Sequence, residues 1–197
     1  MTSARLRLAI FGLLSCASAA CSTRYEGPSE VVTGPTQTNF LYLSEVLDYS
    51  CGNLECHGTV GRNLRLYGTY GRRLDPKDVA CKQPTTAAES QANYLSAAGL
   101  EPELTEQVVA ALSHADLDAT VVEPLDAGIV ESEVERLTLV RKARGTESHK
   151  GGTVFAEGSL GDRCLVSWLT GTIAHDYLSC TNFFAQAPKV TCTPAWK

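Results

Sequence analysis

The chain has 197 residues, of which 44% are hydrophobic and 20% charged, with eight cysteines, one methionine and a formal charge of −5. Enough apolar surface is present to build a core, which excludes a disordered polyelectrolyte, and the length suits one domain with an appendage. No apolar run of about 20 residues occurs beyond the first twenty positions, which excludes a polytopic membrane protein, and the acidic balance argues against a nucleic-acid partner.

Residues 1–20 have the order of a secretory signal peptide: Arg5 and Arg7, the apolar run Leu8–Leu14, then small residues. Two cleavage readings compete. Ala17-Ser18-Ala19 suits an ordinary signal peptidase. Ser18-Ala19-Ala20-Cys21 resembles a bacterial lipobox, with Cys21 as the lipidated first residue; Leu13-Leu14-Ser15-Cys16 has a similar pattern but leaves a very short apolar segment. Cysteine parity favours Cys21. Losing Cys16 and acylating Cys21 leaves Cys51, Cys56, Cys81, Cys164, Cys180 and Cys192, an even set for an oxidising compartment. The chain is therefore expected to be an outer-membrane lipoprotein facing the periplasm or cell surface, held to the membrane by its acyl anchor. Ser22, rather than an acidic residue, after the anchor supports that choice. Residues 21–39 are rich in Ser, Thr, Gly and Pro without apolar period, and are expected to be a flexible tether. Residues 40–197 are expected to form a single globular domain.

In that domain Phe40, Leu43 and Leu47 fall three and four apart, predicting a helix that runs into Cys51. Thr86-Ala-Ala-Glu89 is a capping box opening a second helix, and Gly99 a plausible stop. A third starts near Glu101-Pro102, with Leu104, Val108 and Leu112 on one face. A fourth is predicted over Ile129–Val140. Ser159-Leu-Gly-Asp162 reads as another capping box, opening a helix with Leu165, Trp168 and Leu169 that Gly171 ends. Between Gly61 and Asp75 a Gly- and Arg-rich loop with short extended pieces is expected. The fold class is mainly α, a small helical domain with long loops stapled by disulfides.

The sharpest chemical signal is Cys51-Gly-Asn-Leu-Glu-Cys56-His57-Gly58. Two thiols and an adjacent histidine are the parts of covalent haem c attachment: the thiols add to the vinyl groups, and His57 ligates the iron. The gap of four residues departs from the common gap of two. A local Cys51–Cys56 disulfide is the competing reading, and a zinc site a remoter one. The sole methionine is Met1, so the sixth ligand would be a histidine, or absent. His149 is preferred over His114 and His175 because Gly151 and Gly152 let the backbone approach a flat ring. Arg62 and Arg65, with Arg72 and Arg73, offer cations for two propionates; the alternative is a solvated basic loop. Acid pairs Glu101/Glu103 and Glu131/Glu133 read as solvated helix faces. If haem takes Cys51 and Cys56, then Cys81, Cys164, Cys180 and Cys192 are the disulfide candidates. Cys180–Cys192 would staple an irregular tail and Cys81–Cys164 would tie the Arg-rich loop to the last helix; three pairings stay open.

With these residues in view, the chain resembles c-type cytochromes over roughly residues 40–171. Cys51–Gly58 followed by Gly61-Arg62-Asn-Leu64 is similar to their Cys-His-Gly segment and the Gly-x-x-Leu after it. Leu137–Lys142, His149-Lys150-Gly151-Gly152 and Asp162–Leu169 resemble the later segments of cytochrome-c-like domains in exported planctobacterial and myxobacterial proteins, although Lys150 stands where Gly is usual. The resemblance implies a cytochrome-c-like domain that carries electrons to or from a redox partner protein. No esterase elbow, phosphate loop, dinucleotide fingerprint or His-Glu-x-x-His motif is present, so an electron carrier is expected rather than an enzyme. The alternative is a cofactor-free, disulfide-stabilised structural or binding lipoprotein.

Overall fold

The computed structural model describes residues 34–38, 40–117, 127–171 and 173–187. All fall in one compact unit, Val32–Lys197. The leader, Cys21, the first part of the tether and Cys192 lie outside the described residues, as do the side chains of His114 and His175.

Among the described residues there are seven helices and no strands: α1 Phe40–Cys51, α2 Ala87–Ala98, α3 Pro102–Leu117, α4 Ala127–Val134, α5 Thr138–Arg144, α6 Leu160–Thr170 and α7 Ile173–Gln186. The chain is mainly helical, as its periodicity predicts. None of these helices is long and apolar enough to cross a membrane. The Arg-rich stretch is a loop whose extended pieces amount to one bridge, Tyr67 to Arg72.

The helix starts follow local chemistry. Thr86 and Glu89 form the full capping box at α2, and Pro102 opens α3. At α6 only half of the expected box forms. Ser159 accepts from the Asp162 amide, but the Asp162 carboxylate turns to Arg144 instead. The expected fourth helix is two helices, α4 and α5, broken at residues 135–137. The N-cap of α5 is Leu137, which has no side chain able to accept a hydrogen bond. Glu101 supplies the acceptor from a distance, taking the Thr138 amide at 2.7 Å and its hydroxyl at 2.9 Å. Glu101 is thus a remote cap and not part of a solvated face.

The core runs through Phe40, Leu43, Val46 and Leu47 of α1, Val108 and Leu112 of α3, Val140 of α5, and Leu165, Trp168 and Leu169 of α6. Phe40 packs against Trp168 and Tyr94, with ring centroids 5.0 and 5.5 Å apart. The same two rings reach back to the chain before α1. Trp168 Nε1 donates to the Thr36 carbonyl at 3.0 Å, and Tyr94 Oη to that of Pro35 at 2.9 Å. The last residues of the expected tether are therefore docked on the body, because a buried and a partly buried ring donor need acceptors.

The expected irregular tail after Gly171 is helix α7 over Ile173–Gln186, folded back on α6. Gly171 makes that hairpin in the left-handed region, φ 68°. The fold-back decides the disulfide: Cys164 of α6 bonds to Cys180 of α7. The pairings Cys81–Cys164 and Cys180–Cys192 are both overturned, since two facing helices bring residues 16 apart together more readily than a distant loop does. A closed loop of that size contributes about 3 kcal/mol. Cys81 is also disulfide-bonded.

Ion pairs inside the body hold the helices to one another. Arg144, at the end of α5, donates to both oxygens of buried Asp162 at 2.7 and 3.0 Å. It also meets Glu131 at 2.5 Å and Glu135 at 2.9 Å. Burial opposes the guanidinium charge, yet the bonds to these carboxylates outweigh it and hold Arg144 above its ordinary range. Glu131 is thus an internal partner, and Glu133 is paired with Arg136 at 2.7 Å. Both acids keep part of their side chains in solvent, as the sequence suggests, but each is also ion-paired.

Candidate functional site

The segment from Cys51 to Gly58 continues directly from α1 and folds on itself. Asn53 receives the amides of Cys56 and Gly58, each at 3.0 Å, on its carbonyl, and its side chain accepts from the Glu55 amide at 3.1 Å. The His57 amide donates to the Cys51 carbonyl at 3.1 Å. Gly58 sits so tightly in this turn that a Cβ there would lie 2.4 Å from the Gly52 carbonyl oxygen. The four-residue gap is therefore an ordered turn that presents Cys56 and His57 beside Cys51.

Cys51 and Cys56 are both free thiols. The local disulfide that competed with cofactor attachment is not formed. Burial, with Cys56 and Asp48 adding to it, pushes the Cys51 thiol up to about 12, so it stays protonated at neutral pH.

His57 is gripped through its other ring nitrogen. Its Nδ1 lies 2.8 Å from the Leu64 carbonyl oxygen, and its own carbonyl accepts from the Leu66 amide at 2.9 Å. A carbonyl partner requires Nδ1 to carry the proton, leaving Nε2 with a free lone pair. That arrangement orients a metal-ligating histidine.

Two adjoining clefts, about 320 and 350 Å³, open at this point. Both are lined by Cys51, His57, Arg62, Lys142, His149 and Val154. Leu47, Leu64, Leu100 and Leu139 supply apolar walls to the first, and Cys56, Lys150 and Gly151 line the second. The two histidines, far apart in sequence, thus share one cavity. His149 Nδ1 is buried and has no hydrogen-bond partner. Burial, then the positive charge of Lys142 and the proximity of His57, lowers the His149 pKa, which keeps the imidazole neutral at pH 7.

The glycines after His149 shape the loop around the imidazole. A Cβ on Gly151 would lie 2.7 Å from His149 Nε2, so the absent side chain makes room for the imidazole itself. Gly152 supplies a left-handed turn, φ 63°. Glu147 ties the same loop to α5 through Arg141 at 3.0 Å and Lys142 at 2.6 Å.

Of the expected cations, Arg62 lines both clefts and Arg65 neither. Leu64 and Leu66 are buried, so the residue between them faces the other way. The Arg65 guanidinium lies over the Tyr67 ring, 4.9 Å from its centroid. Arg72 Nε donates to the Gly58 carbonyl at 3.1 Å. Arg73 is buried against Glu89 at 2.9 Å. Lys142, which the sequence did not single out as a cation of the site, lines both clefts. It lay within the α5 segment, and only the position of α5 against the Cys-His turn makes it a cavity residue. Among the described residues, no three His, Cys, Asp or Glu gather as a ligand set for a free metal ion.

Behind Cys51, one turn earlier on α1, Asp48 is fully buried. Its Oδ2 accepts from the Tyr70 amide at 2.8 Å, while Oδ1 has no partner. Gly52, Gly68 and Gly71 crowd it so closely that a Cβ on any of them would come within 3.1 Å of a carboxylate oxygen. The sequence hint was an acid on the apolar face of a predicted helix. Burial raises the Asp48 carboxyl from 3.8 to about 6, opposed by the Tyr70 hydrogen bond and assisted by Glu89. The folded state therefore binds this proton more tightly than the unfolded chain does. The corresponding stability is fully present below pH 3.8 and is lost as pH rises through about 6. Asp48→Asn should remove that slope and gain about 1–3 kcal/mol at pH 8 relative to the parent chain. Urea midpoints at pH 5 and pH 8 check this; parallel pH profiles in the two chains would refute it.

No family model, curated protein or solved structure matches the chain. The case for a function rests on the geometry of the cleft.

Proposed function

We propose that the chain is a c-type haem protein that transfers electrons at the bacterial cell envelope, anchored there through lipidated Cys21. The observation that carries this reading is the convergence of two unpaired thiols and two histidines on two adjoining clefts lined by leucines and cations.

The residues fit the group in kind. Each Sγ–H of Cys51 and Cys56 would add across one vinyl double bond, forming a thioether and placing the proton on the neighbouring carbon. His57, with Nδ1 committed to Leu64, has Nε2 left to ligate the iron. His149, whose Nδ1 has no protein partner, would be the second histidine to hold the group. Arg62 and Lys142 are the cations that line the cleft and would face two carboxylates, Lys142 by giving up its ion pair with Glu147. Leu47, Leu64, Leu100 and Leu139 exclude water from the cleft. Bound haem supplies a one-electron couple, and two histidine ligands set a lower potential than a His/Met pair. Were His57 and His149 both to ligate the iron, no site would be left there for a substrate, and the protein would carry electrons. Its partner is another redox protein of the envelope.

Expression with c-type maturation machinery tests the proposal. The purified chain should be coloured, should keep its colour through denaturation, and should exceed its polypeptide mass by one haem. A colourless product of plain polypeptide mass overturns the proposal and favours a cofactor-free lipoprotein. For the axial pair, His149→Ala should convert the low-temperature spectrum from six-coordinate low-spin to high-spin. Gly151→Ala, which pushes on the same ring, should do so in part. An unchanged spectrum in His149→Ala removes that residue from the site.

A further inference from the structure

A third cavity, of about 500 Å³, lies between α1, the loop over residues 67–84, and α7. Among its described lining residues none belongs to the two clefts of the haem proposal. Its walls include three aromatic rings, Tyr42 from α1, Tyr70 from the loop and Phe184 from α7. Glu45 stands one helical turn from Tyr42 and also lines the cavity. Thr69 and Thr181 are the remaining side chains of the kind that donate or accept hydrogen bonds.

Glu45 is the unusual member. It is half-buried, and burial alone accounts for the upward shift of its carboxyl. The titratable groups that feel its charge are no help: Asp48 is a like charge, and the Tyr70 phenol is held neutral. Among the described residues no hydrogen bond or ion pair satisfies the Glu45 carboxylate, whereas part-buried Glu131 and Glu135 have Arg144. A carboxylate taken partly out of water without a cation is costly, and the cost falls when a cation arrives. The three rings beside it attract cations through their faces. A hard metal ion is the wrong visitor, since calcium or magnesium needs six or more oxygens where the described lining of this cavity offers one carboxylate. An alkylated ammonium suits both parts, its charge facing Glu45 and its methyl groups covering the rings.

We propose that Glu45, Tyr42, Tyr70 and Phe184 form a binding site for a small alkylated ammonium cation. The site is independent of haem, and its volume lies within the range of small-molecule pockets. Specificity comes from charge and from ring contact, so a neutral molecule of the same shape should bind poorly.

Calorimetric titration of the full chain with choline, and with its uncharged isostere 3,3-dimethylbutanol, tests the site. Choline should bind saturably with a dissociation constant of about 1 mM or tighter, and at least about tenfold better than the isostere. Glu45→Gln should weaken choline binding at least about tenfold, and Phe184→Ala at least about threefold, with unchanged thermal midpoints. Failure of choline to saturate, or equal binding of choline and the isostere, overturns the proposal. So does full affinity in Glu45→Gln. Should Phe184→Ala unfold, Tyr70→Leu supplies the ring deletion, and unchanged affinity there has the same meaning. The titration is run on haem-loaded and haem-free chains alike, so a failed haem proposal leaves this result readable.

Discussion

A chain carrying Cys51→Ala and Cys56→Ala together is expected to lose all pigment that survives denaturation. Its fold should stay close to that of the parent. Both halves follow from one fact: these two thiols are bonded to nothing in the protein. Without them no thioether can form, although His57 and His149 could still hold a dissociable haem. Single variants should retain one thioether and a reduced yield. In the haem-free chain the double change removes one partly buried sulfhydryl pair and no covalent link, so unfolding should shift by about 1 kcal/mol. Had the pair been a structural disulfide, its loss would cost about 2 kcal/mol or more. Haem staining after denaturing electrophoresis and a urea titration of the haem-free chain read the two effects separately. Retained stain in the double variant would refute thioether attachment at these residues.

The second large effect lies away from the thiols but reaches the same cleft. Arg144→Met should destabilise the protein by about 3–5 kcal/mol, because it strands buried Asp162 without its cation. Arg144 ends α5, and that helix contributes Thr138, Leu139, Lys142 and Ala143 to the cavity wall. The loop that carries His149 is tied to α5 as well, through Glu147. Loosening Arg144 should therefore also reduce haem incorporation. Arg144→Met combined with Asp162→Leu removes both charges and should recover most of the lost stability. Chemical denaturation of the parent chain and the two variants checks this. Equal destabilisation in the single and double variants would show that the loss is one of packing and not of charge.

Much of the local structure was legible in the residues. The starts of α2, α3 and α6 follow from Thr86, Pro102 and Ser159, whose side chains or ring act within one turn. The buried face of α1 follows from Phe40, Leu43 and Leu47. The break between α4 and α5 was not legible, since Leu137 offers no cap and the acceptor comes from Glu101. α7 was missed because the stop at Gly171 was read as the end of order rather than as the corner of a hairpin.

The candidate site divides in the same way. Cys51, Cys56, His57 and His149 were all named from their neighbours in sequence, and they line the adjoining clefts. Lys142 and Asp48 were not found, because an acid or a lysine on a helix looks solvated until a neighbouring element covers it. Arg65 was misplaced by proximity in sequence alone.

What the amino-acid order determined by itself is the helical class, the caps, and the thiol-and-imidazole set around Cys51, since these depend on contacts a few residues apart. Tertiary structure alone decided that Cys164 meets Cys180, that Arg144 is shared among three acids, and that His149 comes to lie near His57. Such choices are made among elements distant in sequence, where burial of apolar faces fixes which polar groups are left to find one another.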